Sequence, residues 1–495
     1  MPGYIRPASV APVSLSTVET LLGLPSSSDS ADLTVSGVTH ASDQVRPGDI
    51  YAALPGSRRH GAEFARAAMD GGAVAILSDR PIPGVEKVLV VDNPREVLGP
   101  VADLVYGHPS KRMTVLGITG TAGKTSTAYL IEAGLRAAGQ ITGLLGTVET
   151  RLGDLSVSSV RTTPEATDLH ALLAVAVERG VTAVVMEVSS HALAMGRVGG
   201  VAFDVAAWTN FGTDHLDFHA DSADYFAAKA KLFDGRALVE VINFDDPSLR
   251  TMIRPGTVTY SAAGAADATW YSSNIQEDGF GQLFDAHGPM GSFPARVSLP
   301  GQHNVSNALL ALAMLTSTGI RPEVAAAGVA ACPGVPGRLE LVSSEGSIVG
   351  VVDYAHKTDA IVAALAALRE LAVTRGGRVI SVIGAGGDRD KGKRPHMGAA
   401  AADGSDLVIV TDDNPRTEDP AAIRAAVVEG AASSGMEVVE VAGRREAIAE
   451  AVRRARPGDI IAVLGKGHET GQEVGGEILP FDDRVELAAA LKEHE

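Results

Sequence analysis

Short runs dominated by valine and isoleucine alternate with alanine-rich stretches of helical period along most of the chain. Apolar runs bounded by turn residues read as buried strands, and their alternation with helices reads as βαβ units in mostly parallel sheets. The pattern predicts core strands over Met113–Ile118, Ala183–Glu187, Asp204–Trp208, Val379–Ile383, Leu407–Thr411 and Ile460–Leu464, each followed closely by Gly, Asp or Asn. The fold class is therefore α/β. In open parallel sheets ligands bind beyond the carboxyl ends of strands, so chemistry is sought just after those runs. The stretch Tyr260–Pro294 alternates over shorter pieces and predicts antiparallel strands or an excursion.

A chain of 495 residues exceeds one hydrophobic core, and a prior of about 150 residues per domain suggests three. Two Pro-containing breaks, Gly107–Met113 and Cys332–Glu340, divide it near 1–111, 112–336 and 337–495. A net charge of -18 and only 4% aromatic residues provide neither the basic footprint nor the stacking platform of a nucleic-acid binder. The single cysteine, Cys332, excludes an internal disulfide and a multi-cysteine metal site, and fits a reducing cytoplasm. No signal peptide or membrane-length apolar run is expected.

The strongest chemical signal is GITGTAGKTS, Gly117–Ser126, between a strand-like and a helix-like stretch. Backbone N–H groups of Gly117, Thr119, Gly120, Thr121, Ala122 and Gly123 and the helix start can cradle phosphates. Lys124 can reach the terminal phosphates, and the Thr125 hydroxyl, beside Ser126, can sit on Mg²⁺. Strict GxxxxGK[ST] spacing fails at Ile118, leaving the tighter TGTxGKT form. Glu187 ends a strand and suits the single protein carboxylate that Mg²⁺ takes beside phosphates. Taken alone, Glu187 reads equally as a helix cap and His215 as a loop histidine. Lys229 and Lys231 fall on a short helix after Asp221, where the plain expectation is a solvated face.

In the third segment GAGGDRDKGKRP, DDNPR and GKGHE follow successive strands and offer a rim of mixed charge suited to a zwitterionic or anionic small molecule. Two strings recur. RPGDI, at Arg46–Ile50 and Arg456–Ile460, precedes apolar runs as a strand-launching turn would. DNPR, at Asp92–Arg95 and Asp413–Arg416, predicts a helix start each time, with Asp or Asn as cap and Pro in the first turn.

Twelve strings, from THASDQVRPGDIYAALPG through RTTPEATDL, MEVSSHAL, TNFGTDHLDFH, YFAAK, LPGQHNVSNALLA, GRLE and VVDYAH to GKGHE, resemble the Mur ligase family, in that family's order. The resemblance implies an N-terminal α/β UDP-sugar domain, a central P-loop-type ATPase domain with a mostly parallel sheet and a C-terminal Rossmann-like domain. It implies ATP-dependent addition of meso-diaminopimelate to the D-glutamyl side-chain carboxylate of UDP-N-acetylmuramoyl-L-Ala-D-Glu through an acyl phosphate. ATP would meet the phosphate loop, His303, Asn304, Asn307, Asp353 and His356. Lys124, His215 and Lys229 would be catalytic; two Mg²⁺ would use Thr125, Glu187, His215 and Lys229, the last as a CO₂-derived carbamate. The UDP-sugar dipeptide would meet Ser42, Ser57, Arg58, Arg59, Thr162, Thr163, Ser189 and Arg197. Diaminopimelate would meet Arg389, Asp413, Asn414, Pro415, Arg416, Gly465 and Glu469. The family's DSR triplet is Ala41-Ser42-Asp43 here, and Ala122 replaces a common Asn. An L-lysine-adding Mur ligase, a folylpolyglutamate synthetase and a P-loop nucleotide switch are the alternatives. The resemblance implies a cytoplasmic monomer without nucleic-acid or membrane partners.

Overall fold

The apolar runs become strands where expected. Ala183–Glu187, Val379–Ile383 and Ile460–Leu464 keep their bounds, whereas Phe203–Trp208 and Leu407–Val410 shift by one residue at one end and Thr114–Thr119 by one residue at both. The computed structural model describes residues 5–26, 28–56, 59–343, 347–432 and 434–494. It divides into two units, Met1–Ser261 with Ala266–Trp270 and Leu310–Gly328, and Ala262–Ala265 with Tyr271–Leu309 and Val329–Glu495.

The first unit opens with a parallel sheet of Gly37–Thr39, Asp49–Ala53, Ala75–Ser78 and Val88–Val90. A larger parallel sheet follows in the order Thr142–Leu145, Ala183–Glu187, Thr114–Thr119, Phe203–Trp208, Ala237–Asn243 and Val258–Ser261. Strands Ala183–Glu187 and Thr114–Thr119 are wholly buried save for Thr114 at the entry, as continuous apolar runs demand when helices cover both faces. Thr114–Thr119 lies between Ala183–Glu187 and Phe203–Trp208, so three loops leave its carboxyl end side by side.

In the second unit, Gly281–Gly288 pairs antiparallel with Trp270–Asp278 and with Gly291–Val297, the antiparallel excursion expected there. Its main sheet runs Glu340–Ser343, Val349–Asp353, Ile460–Leu464, Val379–Ile383, Leu407–Val410 and Glu437–Glu440, parallel except at Glu340–Ser343. One face packs on Ile361, Leu365, Leu368, Met397 and Val427, the other on Ile448, Val452 and Leu487, so helices cover both sides. A fully buried Arg444–Asp483 pair, with two contacts of 2.7 Å, ties together the first residues of the helices Arg444–Arg454 and Asp483–His494. Arg444 also donates to the Leu464 carbonyl at 2.9 Å, fixing the residue before Gly465.

Both RPGDI strings launch strands, and for one local reason. Asp49 and Asp459 each accept the N–H of the arginine three residues back, at 2.8 and 3.0 Å, around a glycine of positive φ, Gly48 at 90° and Gly458 at 94°. The same carboxylates then bind distant arginines, Arg6 and Arg378, each at 2.8 Å. The DNPR strings diverge. Asn93 caps the helix Pro94–Val105 through the N–H of Arg95. The second string starts no helix, contrary to expectation: Arg416 has a φ of 53° and bridges to Val474, and the next helix begins at Pro420. Asp419 caps there instead, accepting the Ala421 N–H at 3.0 Å. Among the described residues no helix is long and apolar enough to cross a membrane.

Candidate active site

The loop Gly120–Gly123 joins Thr114–Thr119 to the helix Lys124–Ala137, the geometry that aims backbone N–H groups and a helix start at an anion. Gly120 has a φ of 148° and lies against Thr209, so a side chain there would strain the backbone and strike that hydroxyl. The next strand's loop braces the phosphate loop. Asn210 Oδ1 accepts the Ala122 N–H at 2.9 Å, and the Thr209 hydroxyl donates to the Ala122 carbonyl at 2.6 Å. Lys124 Nζ donates to the carbonyls of Gly120 and Thr121 at 2.7 and 3.1 Å.

Thr125 and Glu187 come together in the buried interior, the hydroxyl donating to the carboxylate at 3.0 Å. Thr147 adds its N–H at 2.8 Å and its hydroxyl at 3.1 Å. Among the described residues no group of three or more His, Cys, Asp or Glu could hold a metal unaided. A hydroxyl beside one carboxylate fits Mg²⁺, which retains phosphate and water oxygens as its remaining ligands.

Lys229 is buried and not on a solvated face; Lys231 is the exposed member of the pair. The Lys229 Nζ donates to the Gly120 carbonyl at 2.8 Å and lies 4.6 Å from the centre of the Tyr225 ring. Tyr225 hydrogen-bonds Thr121 at 3.2 Å, and burial pushes its phenol up. His215 adopts a φ of 54°, pairs with Asp214 at 3.2 Å and has its ring 6.1 Å from that of Tyr225. Tyr225 thus neighbours both expected ligands of a second metal.

The residues expected to meet the dipeptide also gather. The Thr163 hydroxyl donates to the Glu187 carbonyl at 2.9 Å and accepts the Ser189 N–H at 3.0 Å. Thr162 meets Thr147 at 3.0 Å, and Arg197 donates to the Thr163 carbonyl at 3.2 Å. Glu165, which sequence reasoning missed, accepts from Arg197 at 2.8 Å and lies 3.6 Å from Arg95. Ser42 stands on the short helix Ser42–Gln44. Arg59 is exposed, pairing with Glu63 at 3.1 Å, while Ser57 and Arg58 lie outside the described residues.

Burial, then the charge of Glu165, pushes the Asp168 carboxyl up to about 7. The folded protein therefore keeps a proton there, between the ordinary value and about 7, that the unfolded chain has lost, and stability falls as pH climbs through that window. Asp168→Asn should gain stability over wild type from pH 5 to pH 8, by about 2–3 kcal/mol. Urea midpoints at both pH values measure it; an equal gap at the two rejects the assignment.

In the second unit Asn304 donates to the Pro300 carbonyl at 2.8 Å and accepts from Asn307 at 3.0 Å. Burial drives the neighbouring His303, and likewise His356, down to about 4, so both imidazoles are neutral at neutral pH. Asp353 accepts the N–H groups of Leu339 and Ala355 at 2.6 and 2.7 Å, and burial pushes its carboxyl up.

Asp413, Asn414, Pro415 and Arg416 follow Leu407–Val410, and Gly465 and Glu469 follow Ile460–Leu464 in the same sheet. Gly465, with a φ of 117°, leaves room for Asp413: a Cβ there would lie 2.6 Å from Oδ2. Arg416 donates through Nε to Glu473 at 3.0 Å and through Nη1 to the Gly387 carbonyl at 2.7 Å. Its backbone pairs with the hairpin Gly471–Pro480 through Glu473 and Gly475. Arg389 is exposed. Lys391 and Arg394, part of the basic loop, pair with Glu418 at 3.0 and 2.8 Å.

Parallel sheets, a phosphate loop backed by a hydroxyl–carboxylate pair and a charged rim on a further sheet define a nucleotide-using α/β enzyme that handles a small charged substrate. The Mur ligase middle domain matches residues 118–315, and the Mur ligase, glutamate ligase domain matches 337–467. UDP-N-acetylmuramoyl-L-alanyl-D-glutamate--2,6-diaminopimelate ligase of Streptomyces avermitilis is 49% identical over 99% of both chains. The ligase of the same name from Corynebacterium glutamicum is 46% identical over 90% of this chain and 89% of its own. A solved structure of a UDP-N-acetylmuramoyl-L-alanyl-D-glutamate--2,6-diaminopimelate ligase superposes with a TM-score of 0.72 at 32% identity, covering 98% of this chain and 99% of that one. The chain belongs to the Mur ligase family.

Proposed function

We propose that this protein is an ATP-dependent amide ligase that joins meso-diaminopimelate to the D-glutamyl side-chain carboxylate of UDP-N-acetylmuramoyl-L-Ala-D-Glu. The observation that carries the reading is the strand end at Glu187. Its carboxylate meets Thr125 of the phosphate loop, while its carbonyl meets Thr163 of the segment proposed for the dipeptide. A phosphoryl donor and a carboxylate acceptor can thereby be served from one residue. Relatives named for this reaction at 49% and 46% identity support the same choice.

In this reading the phosphate loop binds ATP, and Lys124 turns from the loop carbonyls toward the γ-phosphoryl group. The D-glutamyl side-chain carboxylate attacks phosphorus, ADP leaves, and an acyl phosphate forms. The amine of diaminopimelate then attacks the acyl carbon; the tetrahedral intermediate loses phosphate, and the nitrogen gives up a proton to leave the amide. Thr125 and Glu187 would hold one Mg²⁺, and His215 and a carbamylated Lys229 a second; bound there, the ions neutralise charge on the transferring phosphoryl group. Carbamylation by CO₂ would exchange the Lys229 ammonium for an anionic oxygen ligand. Thr162, Thr163, Ser189 and Arg197 would hold the dipeptide, and Ser42 and Arg59 the UDP-sugar. His303, Asn304, Asn307, Asp353 and His356 would complete the nucleotide contacts, and the rim from Asp413 to Arg416 with Arg389, Gly465 and Glu469 the amino-acid contacts. We place the protein in the cytoplasm as a monomer of three functional segments.

ADP release with the UDP-sugar dipeptide, assayed against meso-diaminopimelate, L-lysine and no amino acid, tests the reading. Turnover requires meso-diaminopimelate if it holds. Release that ignores the amino acid identifies a nucleotide switch, and dependence on L-lysine identifies the other acceptor class.

A further inference from the structure

Lys466 lies inside GKGHE with its side chain fully buried. Taking an ammonium out of water costs several kcal/mol unless its donors find good acceptors. Both of its side-chain acceptors belong to the rim: Nζ donates to Asn414 Oδ1 at 2.9 Å and to Glu469 Oε2 at 3.1 Å. The triangle closes through Asn414 Nδ2, which donates to the same Oε2 at 3.0 Å. Asn414 Oδ1 also accepts the Glu473 N–H at 2.9 Å, and the Glu473 side chain accepts from Arg416 Nε. One buried charge therefore sits at the root of the contacts that orient Asn414, Glu469 and, through the hairpin, Arg416.

The network commits only part of each group. Among the described residues Glu469 uses Oε2 alone, and its side chain is 34% exposed, which leaves Oε1 open. Among the described residues Arg416 spends Nε and one bond from Nη1, which leaves Nη2 open there. An open carboxylate oxygen and an open guanidinium nitrogen are complementary to an ammonium and a carboxylate on one carbon.

We propose that Lys466 is the positioning residue of the acceptor pocket, orienting Asn414 and Glu469 so that the ammonium and carboxylate at one end of the amino acid are read together. The inference rests on the diaminopimelate reading above. Being buried, Lys466 acts through its partners and does not touch substrate.

The test uses Lys466→Met and Lys466→Gln in the full chain, each read on protein whose circular dichroism and thermal transition match wild type. Lys466→Gln, which keeps an N–H donor without the charge, carries the measurement where Lys466→Met does not fold. The KM for meso-diaminopimelate should rise on the order of 30-fold, as for truncating one partner of a buried charged pair. The kcat at saturation and the KM values for ATP and the UDP-sugar dipeptide should stay near wild type. On a Glu469→Gln background the same substitution should add little, because the two act as a unit. A KM for meso-diaminopimelate that does not move, or a loss shared by all three substrates, overturns the inference. Wild type that fails to ligate meso-diaminopimelate overturns instead the reading on which it rests.

Discussion

Arg416→Ala should cut the preference for meso-diaminopimelate over L-lysine by about 30- to several-thousand-fold, the cost of about 2–5 kcal/mol for a charge-assisted pair lost from a desolvated site. L-lysine lacks the second carboxylate, so only meso-diaminopimelate feels the loss. Arg416 is held in place by its left-handed backbone, its bond to Glu473 and its bond to the Gly387 carbonyl, which would preset it for the proposed contact. Arg95, in the identical DNPR string, is the matched control. It lies 3.6 Å from Glu165, which holds Arg197, so Arg95→Ala should leave the ratio unchanged and raise the KM for the UDP-sugar dipeptide. Specificity constants for both amino acids in wild type and the two variants decide it. A constant ratio in Arg416→Ala, or a collapsed one in Arg95→Ala, moves the choice of acceptor elsewhere.

Lys124→Ala should lower kcat by about 10²- to 10³-fold or more while leaving the thermal transition in place. Two of the bonds made by its side chain go to carbonyls of its own loop, Gly120 and Thr121. In the proposed reaction its charge would matter once negative charge develops on the transferred phosphoryl group. Single-turnover formation of ADP separates this from slow product release. Normal turnover in a folded variant would remove Lys124 from the chemistry.

Much of this architecture was legible because its signals are local. Continuous Val and Ile runs ended by Gly, Asp or Asn located six of the parallel strands to within a residue at each end, since a strand buried on both faces admits little else. The phosphate loop was readable from glycines that the backbone path requires. Lys229 shows the limit of local reasoning: helical position alone predicted a solvated ammonium, whereas tertiary packing, with Tyr225 and Gly120 against its Nζ, buries it. The second DNPR fails for the same reason, because Asn414 is recruited by Lys466 and Glu473 and is not left to cap a helix. Glu165, Thr147 and Lys466 carried no motif-level signal separate from their neighbours. The hairpin that clamps Arg416 was not read from the sequence, although its turn is local: Gly475-Gly476 joins strands Gly471–Val474 and Glu477–Pro480, and both glycines have positive φ.

The RPGDI turn is a portable component. It contains its own bend, its own internal fastener and a spare carboxylate face, and it launches a strand in two different sheets by gripping whichever arginine the host supplies. A protein engineer could transplant the five residues ahead of an unrelated strand and place one arginine within reach, obtaining a defined entry angle without redesigning the surrounding core.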